Sequence, residues 1–351
     1  MGKIKVGIIG CGNISQYHLQ GYAALDDVEI YALCDINEDN LKNRGEMFGV
    51  TRLYTDYNEM LKLEELDAVS ICTWNAAHKE CTVAALKAGK HVLCEKPTAM
   101  NRAEALEMQK AAEESGKILM IGFVRRHGND CAVLKDFIEA GSLGDIYYAK
   151  ATYLRRNGNP GGWFGNKELS GGGPLIDLGV HVIDLVKYLM GNPKPVSVYG
   201  VTYQKLFDRK NIKAKKAYVA RGGVNQPCNV EDLASALIRF DNGATLLVEA
   251  SFSLNIKNDI GSIEMFGTKG GSKMDPSLEI YNDINGYLTN VSFDAPTALS
   301  FEGLFENEIK HFVDCVKGEA ENIAPIEDGV DIMAILDAVY ESARTGHEVI
   351  L

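Results

Sequence analysis

Positive charge is the minority in this chain. Its 36 lysines and arginines are outnumbered by 48 acidic residues, for a net charge of −12. That balance excludes a surface built to gather nucleic acid or anionic lipid, so neither is expected as a partner. No apolar run approaches the 18 residues of a membrane-crossing helix. The opening stretch "MGKIKVGIIGCG" is too short in apolar residues for a secretory leader, and Gly2 lacks the Ser or Thr context for myristoylation. None of the eight cysteines forms a C-x-x-C pair, and Cys34, Cys72 and Cys94 sit inside apolar runs where a thiol acts as a small hydrophobe. That scatter leaves no sign of structural zinc or any other metal, and it points to a reducing, cytoplasmic setting. Repeats and low-complexity segments are also missing.

At 351 residues the chain exceeds the usual size of one domain, so two are expected. Apolar runs at 3–10, 29–35, 67–73, 91–96 and 117–123 read as buried strands. Helical patterns lie between them, at 13–25, 37–48, 56–62, 76–88 and 101–115. This alternation predicts a doubly wound parallel sheet over residues 1–124. The texture then changes. A helix at 130–140 and alternating segments at 145–156, 197–204, 232–240, 244–254 and 262–270 are followed by amphipathic helices at 305–318 and 327–346. Residues 125–351 therefore read as an α+β domain with a large, mostly antiparallel sheet. The segment 204–223 carries seven basic residues in this acidic chain, as a solvated loop or as a lid or subunit-contact arm.

The first strand runs into "GCGNIS". Gly10 permits a tight turn, and Gly12 lets a pyrophosphate approach the backbone at the start of the next helix, beside Asn13 and Ile14. Free N–H groups and the helix dipole favour negative charge there. Ser15 stands where a third glycine is usual and is small enough for close packing. The second strand ends at Asp35, near the spacing of an acidic residue that binds an adenosine ribose. Asp35 would repel a 2′-phosphate, so NAD is expected over NADP. The third strand ends in "TWNAAH" (73–78) and the fourth in "EKP" (95–97). Both are carboxyl ends of parallel strands, where ligands bind in open α/β sheets. Lys96 is placed to reach the nicotinamide; His78 serves the cofactor or packs its own helix.

The stretch "GGGPLIDLGVHVIDL" (171–185) carries Asp177, His181 and Asp184 at i, i+4 and i+7. If residues 176–190 are helical, these line one stripe of an otherwise apolar helix. Such a seam is either a self-satisfied Asp–His–Asp network or a site facing a ligand.

Together "GCGNIS" with Asp35, "TWNAAH", "EKP" and "GGGPLIDLGVHVIDL" resemble the Gfo/Idh/MocA oxidoreductases, over essentially the whole chain. The resemblance implies an N-terminal Rossmann domain and a C-terminal domain whose open sheet makes a homodimer or homotetramer. It matches Lys96, Asp177 and His181 to the family's catalytic residues. It puts Thr73, Trp74, Asn75, His78 and Glu95 at the cofactor, with Glu95 beside the nicotinamide ribose. Trp74 departs from the proline common at that position. The segment from Tyr153 to His181 looks like the sugar- and glycoside-oxidising branches, so Arg155, Arg156, Asn157, Trp163 and Phe164 are expected at the substrate. In "FVRRH" (123–127), Arg125 or Arg126 is placed near the domain junction, as a substrate contact or an interdomain brace.

The implied activity is oxidation of a secondary hydroxyl of a sugar, glycoside or inositol, possibly at C3 of a hexose, by hydride transfer to NAD+. His181 is the first candidate for the base, and Lys96 the second. Two other readings stand beside it: an NAD-dependent glycosidase working through transient C3 oxidation, and a non-catalytic NAD-binding regulator.

Overall fold

The computed structural model describes residues 2–206, 209, 212, 228–293, 297–298 and 300–351. Most of the basic segment 204–223 lies outside the described residues. The chain divides into two compact units, residues 1–127 with 300–333, and residues 128–299 with 334–351.

In the first unit the strands are β1 (Ile4–Ile9), β2 (Val28–Cys34), β3 (Leu53–Tyr54), β4 (Ala68–Ile71), β5 (His91–Glu95) and β6 (Leu119–Gly122). The helices are α1 (Ser15–Ala23), α2 (Glu38–Phe48), α3 (Tyr57–Leu61), α4 (His78–Lys87) and α5 (Arg102–Ser115). The strands pair in parallel in the order β3-β2-β1-β4-β5-β6. β4 and β6 are buried at every residue, as a sheet covered on both faces requires. Asn37 and Asn101 start α2 and α5 by accepting the N–H groups of Asn40 and Glu104. The order reverses between β1 and β4, so the ends of β1, β4 and β5 lie side by side.

The second unit holds α6 (Asn129–Glu139), β7 (Ile146–Leu154), α7 (Lys167–Ser170), α8 (Val180–Leu189), β8 (Pro195–Tyr203), β9 (Leu233–Phe240), β10 (Thr245–Ser251), β11 (Ile260–Gly267), β12 (Gly270–Met274), β13 (Glu279–Ile284), β14 (Tyr287–Val291) and β15 (Val349–Ile350). Nine strands form one sheet in the order β14-β13-β12-β11-β7-β10-β9-β8-β15, antiparallel except for β10 beside β7. Ala234, Ala236, Ile238 and Phe240 of β9 are buried while Leu237 and Arg239 are exposed, so one face carries the core. Leu178, Ala250 and Phe252 form a buried cluster there. The helical run 167–189 is long and apolar enough to cross a membrane, but 78% of its apolar window is buried within the protein.

Two helices complete the chain, α9 (Phe301–Lys317) and α10 (Ile326–Thr345). Here the structure departs from one continuous second domain over 125–351. The first segment ends at residue 127, close to the expected boundary, but residues 300–333 belong to the first unit. The reason is packing. Tyr17 of α1 stacks on Phe305 with ring centroids 5.3 Å apart and meets Phe301 edge-on at 5.0 Å. Gly21 of α1 lets α9 come close, since a Cβ there would stand 2.9 Å from Ile309. Amphipathicity in α9 announces a buried face without saying against what.

Candidate active site

The turn after β1 is built as the sequence predicts. Gly10 has φ +96°, and a Cβ there would lie 2.6 Å from the Cys72 carbonyl. A Cβ on Gly12 would meet no atom within 4 Å, so that backbone faces open space. At the start of α1, Ile14 supplies no side-chain cap, and no acidic residue lies in the first turn. Ser15 is fully buried, its hydroxyl donating to the Gly12 carbonyl at 2.8 Å. This end of α1 suits a pyrophosphate.

Asp35 does more than its spacing suggests. Its carboxylate accepts the Cys11 N–H at 2.6 Å and the Asn37 N–H at 2.7 Å. It therefore braces the glycine turn from the end of β2, while each oxygen keeps a further lone pair. Arg44 was not singled out from the sequence. It is buried and donates to the Gly12 carbonyl at 3.0 Å. A helix-surface pattern gives no signal for an arginine turned inward onto a backbone oxygen.

His78 is buried between two carbonyls. Its Nδ1 lies 2.7 Å from the Pro97 oxygen and its Nε2 3.3 Å from the Thr73 oxygen. Burial holds its pKa below the usual histidine range, so the neutral ring donates to the nearer Pro97 oxygen. His78 thus ties the 73–78 turn to the E-K-P turn. Asn75 is also buried, whereas Trp74 is 38% exposed.

Glu95 is buried, its Oε1 2.8 Å from Nε2 of His18 and its Oε2 accepting the Lys96 N–H at 3.2 Å. Glu308 of α9 completes the cluster, with the three side chains' ligand atoms within 4.8 Å of one another. A histidine on the buried face of α1 and a glutamate on α9 carry no sequence signal for this meeting. The first unit thereby brings together the glycine turn, Asp35, the 73–78 turn, Glu95 and Lys96.

In the second unit the opening of the polar helix is not regular α-helix. Leu175–Gly179 form a π-helical turn, and α8 follows directly. Asp177 and His181 are half-buried, whereas Asp184 is 1% exposed. Of the three, Asp184 is the most buried. Glu231, also absent from the sequence reading, holds the helix start through its carboxylate.

The expected substrate residues divide. Trp163 and Phe164 stack with centroids 3.9 Å apart and are half-buried. Asn157 forms a bridge with Ser253. Arg156 is exposed, and its guanidinium donates to the Lys257 carbonyl at 2.9 Å. Arg155 packs over Tyr153 and donates to the Gly158 carbonyl at 3.3 Å. Arg126 corrects the expectation of a substrate contact. Its side chain is buried, pairs with Asp328 at 2.8 Å and donates to the Ile323 carbonyl. A buried guanidinium needs such partners, and both lie in the returning segment of the same unit.

Residues 4–123 match the oxidoreductase family's NAD-binding Rossmann fold, and residues 135–351 match its C-terminal alpha/beta domain. The chain is 36% identical over 351 residues to D-glucoside 3-dehydrogenase of Escherichia coli, covering 99% of this chain and 97% of that one. It is 28% identical to levoglucosan dehydrogenase of Pseudarthrobacter phenanthrenivorans, covering 98% and 97%. A solved structure of levoglucosan dehydrogenase with NADH superposes with TM-score 0.86 at 25% identity, over 99% of each chain. The chain is a member of the Gfo/Idh/MocA oxidoreductase family, with its NAD-binding Rossmann fold followed by the family's C-terminal domain.

Proposed function

We propose that this protein is an NAD-dependent dehydrogenase that oxidises a secondary hydroxyl of a sugar or glycoside, with C3 of a hexoside as the favoured position. The observation that carries this reading is the full-length similarity to D-glucoside 3-dehydrogenase. Gly10, Gly12, Asn13 and Ile14 would hold the pyrophosphate, and Asp35 the adenosine ribose. Thr73, Trp74, Asn75, His78 and Glu95 would serve the nicotinamide end. The uncapped start of α1 and the open space at Gly12 support this fit. Asp35 favours NAD over NADP, because its charge opposes a 2′-phosphate. When bound, NAD+ supplies the hydride acceptor.

The side chains have distinct tasks in this reading. His181 accepts the hydroxyl proton. Lys96 donates a hydrogen bond to the same oxygen and stabilises the negative charge that develops there. Asp177 orients the imidazole or a neighbouring hydroxyl, and buried Asp184 supports both. The Trp163–Phe164 stack offers an apolar ring face to a pyranose. Residues Tyr199, Leu237 and Leu247 form a cross-strand row on the outward face of the large sheet, a surface suited to self-association. Among the described residues the eight cysteines form no disulfide, and seven of them are buried, which fits a cytoplasmic protein.

The deciding experiment measures NAD+ reduction against inositols, hexoses and hexosides, with NMR of the product. NADH accumulating with a 3-keto product supports the reading. Aglycone release without net NADH would replace it with the glycosidase, and tight NAD binding without turnover would replace it with a regulator.

A further inference from the structure

Glu231 sits where the polar helix begins. Its Oε1 accepts the Gly173 N–H at 3.0 Å and the Leu175 N–H at 3.2 Å, and its Oε2 also accepts from Gly173 at 3.0 Å. Pro174, between them, has no N–H. One buried carboxylate therefore takes both donors at the helix entry, where negative charge is favoured. The Tyr340 hydroxyl donates to Oε1 at 2.9 Å and seats the carboxylate. Burial and the Glu231 charge keep the Tyr340 phenol protonated far above its ordinary range, so this donor persists across working pH.

The approach is close enough to exclude side chains. A Cβ on Gly172 would stand 1.9 Å from the Tyr340 hydroxyl, and one on Gly173 would stand 2.4 Å from the Glu231 carbonyl oxygen. The "GGGP" run is thus the backbone that fits beneath this pair. The Gly173 carbonyl in turn accepts the Asp177 N–H at 3.1 Å. Two residues earlier, Asn229 donates its N–H to the Gly165 carbonyl at 2.9 Å and accepts the Lys167 N–H at 2.7 Å. Residues 229–231 therefore grip both the loop bearing Trp163 and Phe164 and the helix bearing Asp177 and His181.

We propose that Glu231, seated by Tyr340, is a positioning residue of the reaction. It holds the π-helical entry Leu175–Gly179 and so sets the angle between Asp177 and His181. A π turn has more residues per turn than an α-helix, and relaxing one into the other rotates the side chains on it relative to those beyond. Holding the wider turn keeps the two groups in register. This inference rests on the assignment of Asp177 and His181 under Proposed function.

The test compares full-length Glu231→Ala, Glu231→Gln and Tyr340→Phe with wild type. It measures kcat and KM on methyl β-D-glucoside, the Kd for NAD+, and hydrogen exchange of the 173–181 amides. In Glu231→Ala, kcat falls about 100-fold, as expected when catalytic groups are misplaced by an ångström. Exchange in 173–181 quickens, and the Kd for NAD+ stays within about twofold because the proposed cofactor residues lie in the other unit. Glu231→Gln keeps the Oε1 acceptor and restores kcat to within about fivefold of wild type. Should Glu231→Ala fail to fold, Tyr340→Phe gives the milder loss in the same direction. A lower Tm with unchanged kcat per folded protein and unchanged 173–181 exchange would overturn the clamp. Wild-type protein that oxidises no hexoside would instead overturn the assignment beneath it.

Discussion

The carboxyl group of Glu308 lies within 4.8 Å of that of Glu95, and both of its oxygens are buried without a hydrogen-bond partner among the described residues. Burial, reinforced by the Glu95 charge, pushes the Glu308 pKa well above the usual carboxylate range. Glu308 is therefore a neutral acid in the folded protein, beside His18, Tyr22, Cys72 and Glu95.

Its consequence for stability has a definite sign. In the unfolded chain a glutamate ionises near pH 4.3, while folded Glu308 keeps its proton, so the native state loses stability as pH rises from there. Glu308→Gln does not titrate. Its stability relative to wild type should increase as pH rises above about 4.3, with a limiting slope of about 1.4 kcal/mol per pH unit. Urea unfolding at several pH values checks this, and a pH-independent difference would refute a neutral Glu308.

Lys96→Met removes the cation assigned to the reacting oxygen but leaves the glycine turn and Asp35 intact. Turnover should drop about a thousandfold while the Kd for NAD+ changes little. Steady-state kinetics with a fluorescence titration of the cofactor separate the two. Near-normal turnover would remove Lys96 from the mechanism.

Asp35→Ala withdraws the acceptor for the Cys11 and Asn37 N–H groups as well as the charge proposed to face the ribose. The KM for NAD+ should rise about tenfold, the loss of one charge-assisted hydrogen bond. Preference for NAD over NADP should narrow, because the repulsion of a 2′-phosphate is gone. An unchanged NAD/NADP ratio of kcat/KM would mean that discrimination lies elsewhere.

Leu237→Asp puts a charge in the middle of the Tyr199–Leu237–Leu247 row. If this sheet face joins copies of the chain, light scattering after size exclusion will show the variant at a lower mass than wild type. Thermal stability of the variant as a monomer should change little, since Leu237 is 41% exposed. A wild-type monomer, or a variant of the same mass as an oligomeric wild type, would rule this face out.

The amino-acid pattern announces local features well and partnerships poorly. β1, β2 and β5 are near-continuous apolar runs, and their helices carry periodic faces, so the first sheet can be read without a fold. β12, β13 and β14 leave little signal: they are short and interrupted by Gly, Ser, Asp and Asn, with few apolar residues in alternation. The candidate site divides in the same way. Gly10, Gly12 and Asp35 are visible because a tight turn and a strand end impose residue types at set spacing. Arg44, His18, Glu308, Glu231 and Tyr340 are not, because each acts on a residue far along the chain.

By itself, the sequence determined the elements of a cofactor-binding sheet, the glycine turn after β1 and the helical run that carries Asp177, His181 and Asp184. These follow from backbone sterics and periodicity, which operate within a few residues. Tertiary structure alone decided that residues 300–333 rejoin the first unit, that Arg126 is spent on Asp328, and that one carboxylate from Glu231 grips the start of the polar helix. Burial and charge pairing are satisfied by whichever group the fold brings near, and sequence distance has no bearing on which group that is.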